Sequence, residues 1–212
     1  MTDEMLLFGT PVVKVNIGRS LTKEELDCIA NIPMGKSVEG DRREVVDGGQ
    51  NQSESYLVFD DFAEELKDIK TFCEYELNRY MEDIEGVDTD ITGLRITNSW
   101  LTKLYSQQVH PLHNHRNSHL SGVFYISCWQ EDFLSFKDRY RIHDPGFDFP
   151  KKKVTPRNSE GVSINITEGD LMIFPSLTLH QVGETETRDR DRCSLSFDTW
   201  PTYLPSLYPP FK

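Results

Sequence analysis

The sequence has no long apolar run, no internal repeat, no low-complexity stretch and no Cys-x-x-Cys pair. Its apolar stretches fall well short of the roughly 20 residues that a membrane helix needs, which excludes a helical span. The opening MTDEMLLFGTPVVKV is acidic and lacks the basic segment of a secretory signal. Cysteine is sparse and scattered, at positions 28, 73, 128 and 193. Four cysteines could form disulfides, but a chain of 212 residues can bury a sufficient core without them. These absences predict a soluble protein of a reducing, cytoplasmic compartment. Positive charge is also in short supply, with 23 Lys and Arg against 35 Asp and Glu, a formal net charge of −12. So acidic a surface repels duplex phosphate and argues against duplex nucleic acid as a partner. The only basic strips, KDRYR at 137–141 and KKK at 151–153, read as solvated loop.

Aromatic residues, by contrast, make up 11% of the chain, enough for a core rich in large rings. LLFGTPVVKVNI (6–17) reads as a strand region. A helix over 22–32 follows, with Thr22 and Glu25 as a capping box and Leu21 and Leu26 as a hydrophobic staple. A second helix is expected from a cap at Asp61 to the EDIEGVD stretch, because Leu66, Ile69, Cys73, Leu77 and Tyr80 recur at helical spacing. Past residue 90 the texture changes to short alternating or apolar runs separated by turn residues, the mark of an antiparallel sandwich or barrel. The expectation is one domain over 1–212. Helices within about 1–90 would buttress a jelly roll over about 91–205. Residues 34–54 read as a loop and 138–160 as an insertion between strands, and both are expected to carry substrate recognition.

Four of the six histidines lie within HPLHNHRNSH, residues 110–119. On an extended chain, residues i and i+2 face the same way, so His113 and His115 converge. Neutral imidazole is the commonest metal ligand, and His180, just past the apolar run LMIFPS, is the natural third. His110 and His119 fit structural roles, with His110 a weaker alternative ligand, and His143 fits the surface of the insertion. Near the C-terminus, RCSLSFDTW alternates. Arg192, Ser194, Ser196 and Asp198 share one face, and Cys193, Leu195 and Phe197 share the other. An Arg and a Ser two apart on one strand make a fork for a carboxylate.

These blocks, taken in order, resemble the 2-oxoglutarate/Fe(II)-dependent oxygenase superfamily, and within it a bacterial and phage branch broadly related to prolyl hydroxylases. The residues that carry the resemblance are Trp100, the pair His113 and His115, Ser121 through Tyr125, Gly169 through His180, and Arg192 through Phe197. The resemblance covers about 95–200. It implies a double-stranded β-helix, a jelly roll of cupin-like type. It also implies Fe(II) held by His113, His115 and His180, and 2-oxoglutarate and O2 as co-substrates. Arg192 and Ser194 would hold the far carboxylate of 2-oxoglutarate, with a hydroxyl added by Tyr105 or Tyr125. For a viral source, the compartment is the host cytoplasm.

One position departs from the family pattern. The usual facial set is two His and one carboxylate. His115 stands where the carboxylate belongs, which leaves a divalent centre at +2 instead of +1. Asp138 or Asp144 are the alternative carboxylates. Trp100, Phe124 and Phe174 are candidate pocket walls. The expected reaction is hydroxylation of a substrate C–H bond with release of succinate and CO2. A protein side chain, a metabolite and a nucleotide all remain open as substrates. A three-His metalloenzyme that does not use 2-oxoglutarate and a non-catalytic jelly-roll binding module are the rival readings.

Overall fold

A strand apolar along its whole length must be covered on both faces. LSGVFYIS, apolar but for Ser121 and Ser127, is close to such a strand, and the fold is layered around it. The structure, a computed structural model, describes residues 9–35, 51–105, 108–129, 131–137, 150, 152–153, 159–183 and 191–203. In chain order the elements are β1 (Val13–Asn16), α1 (Lys23–Asn31), β2 (Asn51–Gln52), α2 (Val58–Asp61), α3 (Lys67–Asp83), β3 (Leu94–Leu104), β4 (His110–His113) and β5 (Leu120–Ser127). β6 (Phe133–Lys137), β7 (Gly161–Asn165), β8 (Asp170–Pro175), β9 (Leu179–Val182) and β10 (Arg192–Pro201) follow. A six-stranded sheet runs β1-β8-β5-β10-β3-β2 and a four-stranded sheet runs β4-β9-β6-β7. Every pairing between these strands is antiparallel. This is the expected jelly roll with helices against one sheet. Among the described residues, no helix is long and apolar enough to cross a membrane.

The larger sheet has two buried faces. On one, Leu101, Phe124, Leu195 and Phe197 join Ile69, Cys73, Leu77 and Tyr80 of α3 in the helix-side core. On the other, Val123, Tyr125, Met172 and Phe174 meet Leu134 and Phe136 of the smaller sheet. Each fully buried side chain of this size contributes about 1.5–3 kcal/mol. The strand parity expected for β10 holds: Cys193, Leu195 and Phe197 join the helix-side core, and Arg192 and Ser194 line a cavity between the sheets. Phe124, expected as a pocket wall, is on the helix side and meets Phe72 edge-on at 6.2 Å. Gly122 is what lets β5 and β10 approach, since a Cβ there would overlap the Phe197 ring.

The first helix forms as expected, with the Thr22–Glu25 capping box present. Its staple does not: Leu21 packs toward the core while Leu26 is 45% exposed. The second helical region also differs. It is split into α2 and α3 by a turn, and Asp61 ends the short helix instead of capping the long one. The Asp61 carboxylate accepts from Ser55 Oγ, and the Phe59 amide donates to Ser99 Oγ at 2.9 Å, tying α2 to β3. All five residues read at helical spacing are buried. The inserted segment 138–160 does join β6 to β7, but most of it, with Asp138, His143 and Asp144, lies outside the described residues, as do residues 36–50.

Candidate active site

The site is built where the smaller sheet's edge meets β10. β4 pairs with β9 so that His113 stands directly opposite His180. His115 lies two residues past the end of β4, held by its amide donating to the Ser176 carbonyl at 2.8 Å. At Asn117 the backbone takes φ 62 and the chain turns back into β5. The i, i+2 expectation therefore holds in outcome, although only His113 is on a strand.

The three imidazoles converge, with candidate ligand nitrogens within 4.8 Å of one another. Each ring has its Nδ1 against an acceptor. His113 Nδ1 is 2.7 Å from the Pro111 carbonyl, His180 Nδ1 is 2.9 Å from the Thr178 carbonyl, and His115 Nδ1 is 2.7 Å from Asp198 Oδ1. A carbonyl or carboxylate can only accept, so each Nδ1 is the donor and each Nε2 is the nitrogen left for the centre. Burial, with the neighbouring rings adding to it, pushes His180 down to about 3. Burial also lowers His113. Both are therefore neutral near pH 7, the protonation state that binds metal.

Two further rings flank the cluster. His110 stacks on His113 with centroids 4.1 Å apart, and Trp100 stacks on His115 at 5.5 Å. Burial pushes His110 well below its ordinary value, so it too is neutral. Phe174 lies behind His180 at 4.7 Å. His119 is turned away and pairs with Glu85 at 2.8 Å.

Beyond the histidines lies Arg192, 2% exposed. Its Nε donates to Asp132 Oδ2 at 2.8 Å, and its Cζ is 5.0 Å from the centre of the Tyr125 ring. Arg192 Nη2 and Tyr125 Oη are buried and meet no partner in good hydrogen-bond geometry among the described residues, although the two side chains lie near enough for a weak hydrogen bond to each other. Buried polar atoms are rarely left unpaired, so two orphans side by side mark a ligand position. Burial raises the Tyr125 phenol, which stays protonated. Ser194 lines the same cavity. Tyr105 does not: it is 42% exposed and absent from the cavity lining. The void beside Arg192 is about 20 Å3, while an outer cleft of about 320 Å3 opens on the other side of the histidines. Gln52, Trp100, Asn114, Arg116 and Asp198 line the cleft together with His110, His113 and His115.

Residues 98–198 match the family model described as "Putative 2OG-Fe(II) oxygenase". The resemblance read from the sequence is thereby borne out over just under half of the chain. None of the curated proteins is similar enough in sequence to match. Among solved structures, the chain is similar to a 2OG-Fe(II) oxygenase family oxidoreductase from Burkholderia pseudomallei, at 10% identity and TM-score 0.56 over 89% of this chain and 84% of that one. A prolyl hydroxylase from Trichoplax adhaerens, solved with a hypoxia inducible factor peptide fragment, gives 13% identity and TM-score 0.57 over 89% and 83%. A viral collagen prolyl hydroxylase from Paramecium Bursaria Chlorella virus-1, solved with 2OG, gives 12% and 0.50 over 90% and 94%. At such identities these likenesses show the fold, the double-stranded β-helix. Family model, fold and the His113–His115–His180 cluster together indicate an Fe(II)/2OG-dependent oxygenase.

The residues present fit both groups that this family uses. Three neutral imidazoles with free Nε2 atoms suit a divalent transition metal, and the orphaned Arg192 Nη2 and Tyr125 Oη suit a carboxylate. Sequence reasoning missed Asp132 as the partner of Arg192. Strand alternation places Asp198 on the Arg192 face but does not pair it with His115.

Proposed function

We propose that this protein is a 2-oxoglutarate- and Fe(II)-dependent dioxygenase that hydroxylates a C–H bond of its substrate. The observation that carries the reading is the juxtaposition of three Nε2-presenting histidines with a buried arginine whose Nη2 has no partner. His113, His115 and His180 would hold the metal, each ring oriented by its Nδ1 hydrogen bond. Iron with 2-oxoglutarate and O2 supplies the oxidising chemistry: 2-oxoglutarate is converted to succinate and CO2, and the substrate C–H becomes C–OH.

The chain's own residues bind, orient and exclude. Arg192 offers its free Nη2 to the far carboxylate, and Tyr125 donates its phenolic proton to the same group. Ser194 is a third donor on the same wall. Asp132 fixes the guanidinium plane by accepting from Nε, which leaves Nη2 free for the ligand. A void of about 20 Å3 takes no more than a water, so the co-substrate enters by moving wall side chains. His110 is a candidate, since it lines both the inner void and the outer cleft and, although its backbone pairs with Val182, its ring makes no hydrogen bond among the described residues. Trp100 closes the metal side against water and forms one wall of the outer cleft, where the primary substrate would approach.

The test is an anaerobic titration of metal-stripped protein with Fe(II) and then 2-oxoglutarate, following the visible charge-transfer band of the chelate. The band is expected, and Arg192→Ala should weaken 2-oxoglutarate binding at least tenfold, the loss of a charge-assisted hydrogen bond. Fe(II) binding without any band would remove the co-substrate from the reading. The all-neutral donor set favours a second reading, a three-His metalloenzyme that binds its substrate directly. That reading gives the Arg192–Asp132 pair no task.

A further inference from the structure

Three histidines leave the metal centre one negative charge short of the usual two-His-one-carboxylate set. The charge is not far away. Of the three candidate ligands, two have Nδ1 against neutral backbone carbonyls, Pro111 for His113 and Thr178 for His180. Only His115, the residue standing at the carboxylate's position in the pattern, has a carboxylate behind it: Asp198 Oδ1 at 2.7 Å. We propose that Asp198, acting through the His115 ring, supplies the negative charge that a directly bound carboxylate would otherwise bring. This rests on the metal-centre part of the reading above.

The local structure is arranged for this contact. Asp198 is opposite Ser121 across β5, and β10 shifts register against β3 immediately after it, between Asp198 and Thr199. A bulge of this kind re-aims the side chain next to it. Ser121 Oγ donates to the same Oδ1 at 2.7 Å, and Ser176 Oγ lies 2.8 Å from Ser121 Oγ while donating to Ser118 Oγ. Two side-chain donors thus converge on one carboxylate oxygen. Among the described residues, no Lys or Arg pairs with Asp198, so its charge is not cancelled locally. On the other side, Trp100 stacks on the His115 ring at 28° and restricts its rotation. The His115 and Asp198 side chains are only 9% and 16% exposed, so the hydrogen bond works in a low dielectric where charge is weakly screened.

An imidazole that donates Nδ1–H to a carboxylate is a stronger donor at Nε2 than one that donates to a carbonyl. With Asp198 counted, a divalent ion and three neutral rings sum to +1, the same as the usual triad. Asp198 is thus a positioning residue: it touches neither metal nor substrate. It orients one ligand and sets that ligand's basicity.

The discriminating variant is Asp198→Asn. Its amide oxygen can still accept from both His115 and Ser121, so geometry is kept and the charge alone is lost. Fe(II) affinity, measured anaerobically by competition with a chelating dye, is expected to fall about ten- to a hundredfold. The Fe(III)/Fe(II) midpoint potential should rise, and the melting temperature of the metal-free protein should stay close to wild type. An affinity within twofold of wild type with an unchanged potential would overturn the proposal, leaving Asp198 as a purely steric brace.

If the variant does not fold, the wild-type protein loaded with Co(II) gives the answer by paramagnetic proton NMR. One of the three exchangeable imidazole protons should stand apart from the other two, reporting its carboxylate partner. Three signals of one kind would overturn the inference. Wild-type protein that binds Fe(II) but not 2-oxoglutarate refutes the co-substrate reading and leaves this one intact. Wild-type protein that binds no divalent metal overturns both.

Discussion

At the scale of single residues, the two charges most costly to bury are Asp132 and Arg192. Their side chains are 2% and 3% exposed and 2.8 Å apart. Removing one partner of a buried pair leaves the other uncompensated, which costs about 3–5 kcal/mol. Asp132→Ala should therefore lower the unfolding free energy read from urea titration by that amount, whereas Asp132→Ala combined with Arg192→Leu should recover most of the stability and still bind no 2-oxoglutarate. A double variant as unstable as the single one would mean that Asp132 acts through contacts other than Arg192. The pair also marks the limit of sequence reading. Arg192 was legible because an Arg-x-Ser on an alternating strand has a chemical meaning by itself. Asp132, in WQEDF, gains its meaning only from a partner 60 residues away. Asp198 was placed on the correct face by the same alternation, but its hydrogen bond to His115 spans 83 positions and no local pattern encodes it.

At the scale of elements, strand period was the informative signal and helix boundaries the weak one. The polar-apolar alternation of β10 sorted its residues between the cavity and the helix-side core. The largely apolar run of β5 does not sort, because a strand covered on both faces hides its parity. Phe124 was consequently expected at the pocket and is found under α3. The split between α2 and α3 is a tertiary effect. Val58 and Phe59 are buried and Phe59 is tied to Ser99, so the chain must bend before the long helix begins. The close seating of β10 on β5 carries a prediction of its own. Any Cβ at position 122 meets the Phe197 ring, so Gly122→Ala should overpack this seam and cost about 1–3 kcal/mol. Since Ser194 and Asp198 belong to the same strand as Phe197, the variant should also loosen 2-oxoglutarate binding. Calorimetric melting with a parallel charge-transfer titration checks both, and a variant as stable as wild type would show that Phe197 can move aside freely.

For the whole molecule, burying several imidazoles ties folding to pH and to metal. An unfolded histidine titrates near 6.5, and His180 is pushed down to about 3 in the folded chain, with His113 shifted in the same direction. Above pH 6.5 these rings are neutral in both states and contribute no pH dependence. As the pH falls through 6.5, the unfolded chain takes up protons that the folded chain refuses, so stability declines toward acid by up to about 1.4 kcal/mol per pH unit for each such ring. The window for His180 runs from about 6.5 down to about 3. Metal reinforces the folded state over the same range: at a free concentration 100 times its Kd it adds about 2.7 kcal/mol. Since bound metal requires neutral imidazoles in competition with protons, that increment should shrink on acidification. Chelator-treated and Mn(II)-loaded protein, melted in parallel from pH 7.5 to 5.5 under low salt, should give two descending curves that converge toward acid. Keeping above pH 5.5 avoids most carboxylate titration, including that of Glu25, which its Arg19 partner holds below the usual range. A metal-free curve flat across this interval would mean that the rings are solvated in the absence of metal, and that the cluster is assembled by the ion instead of waiting for it.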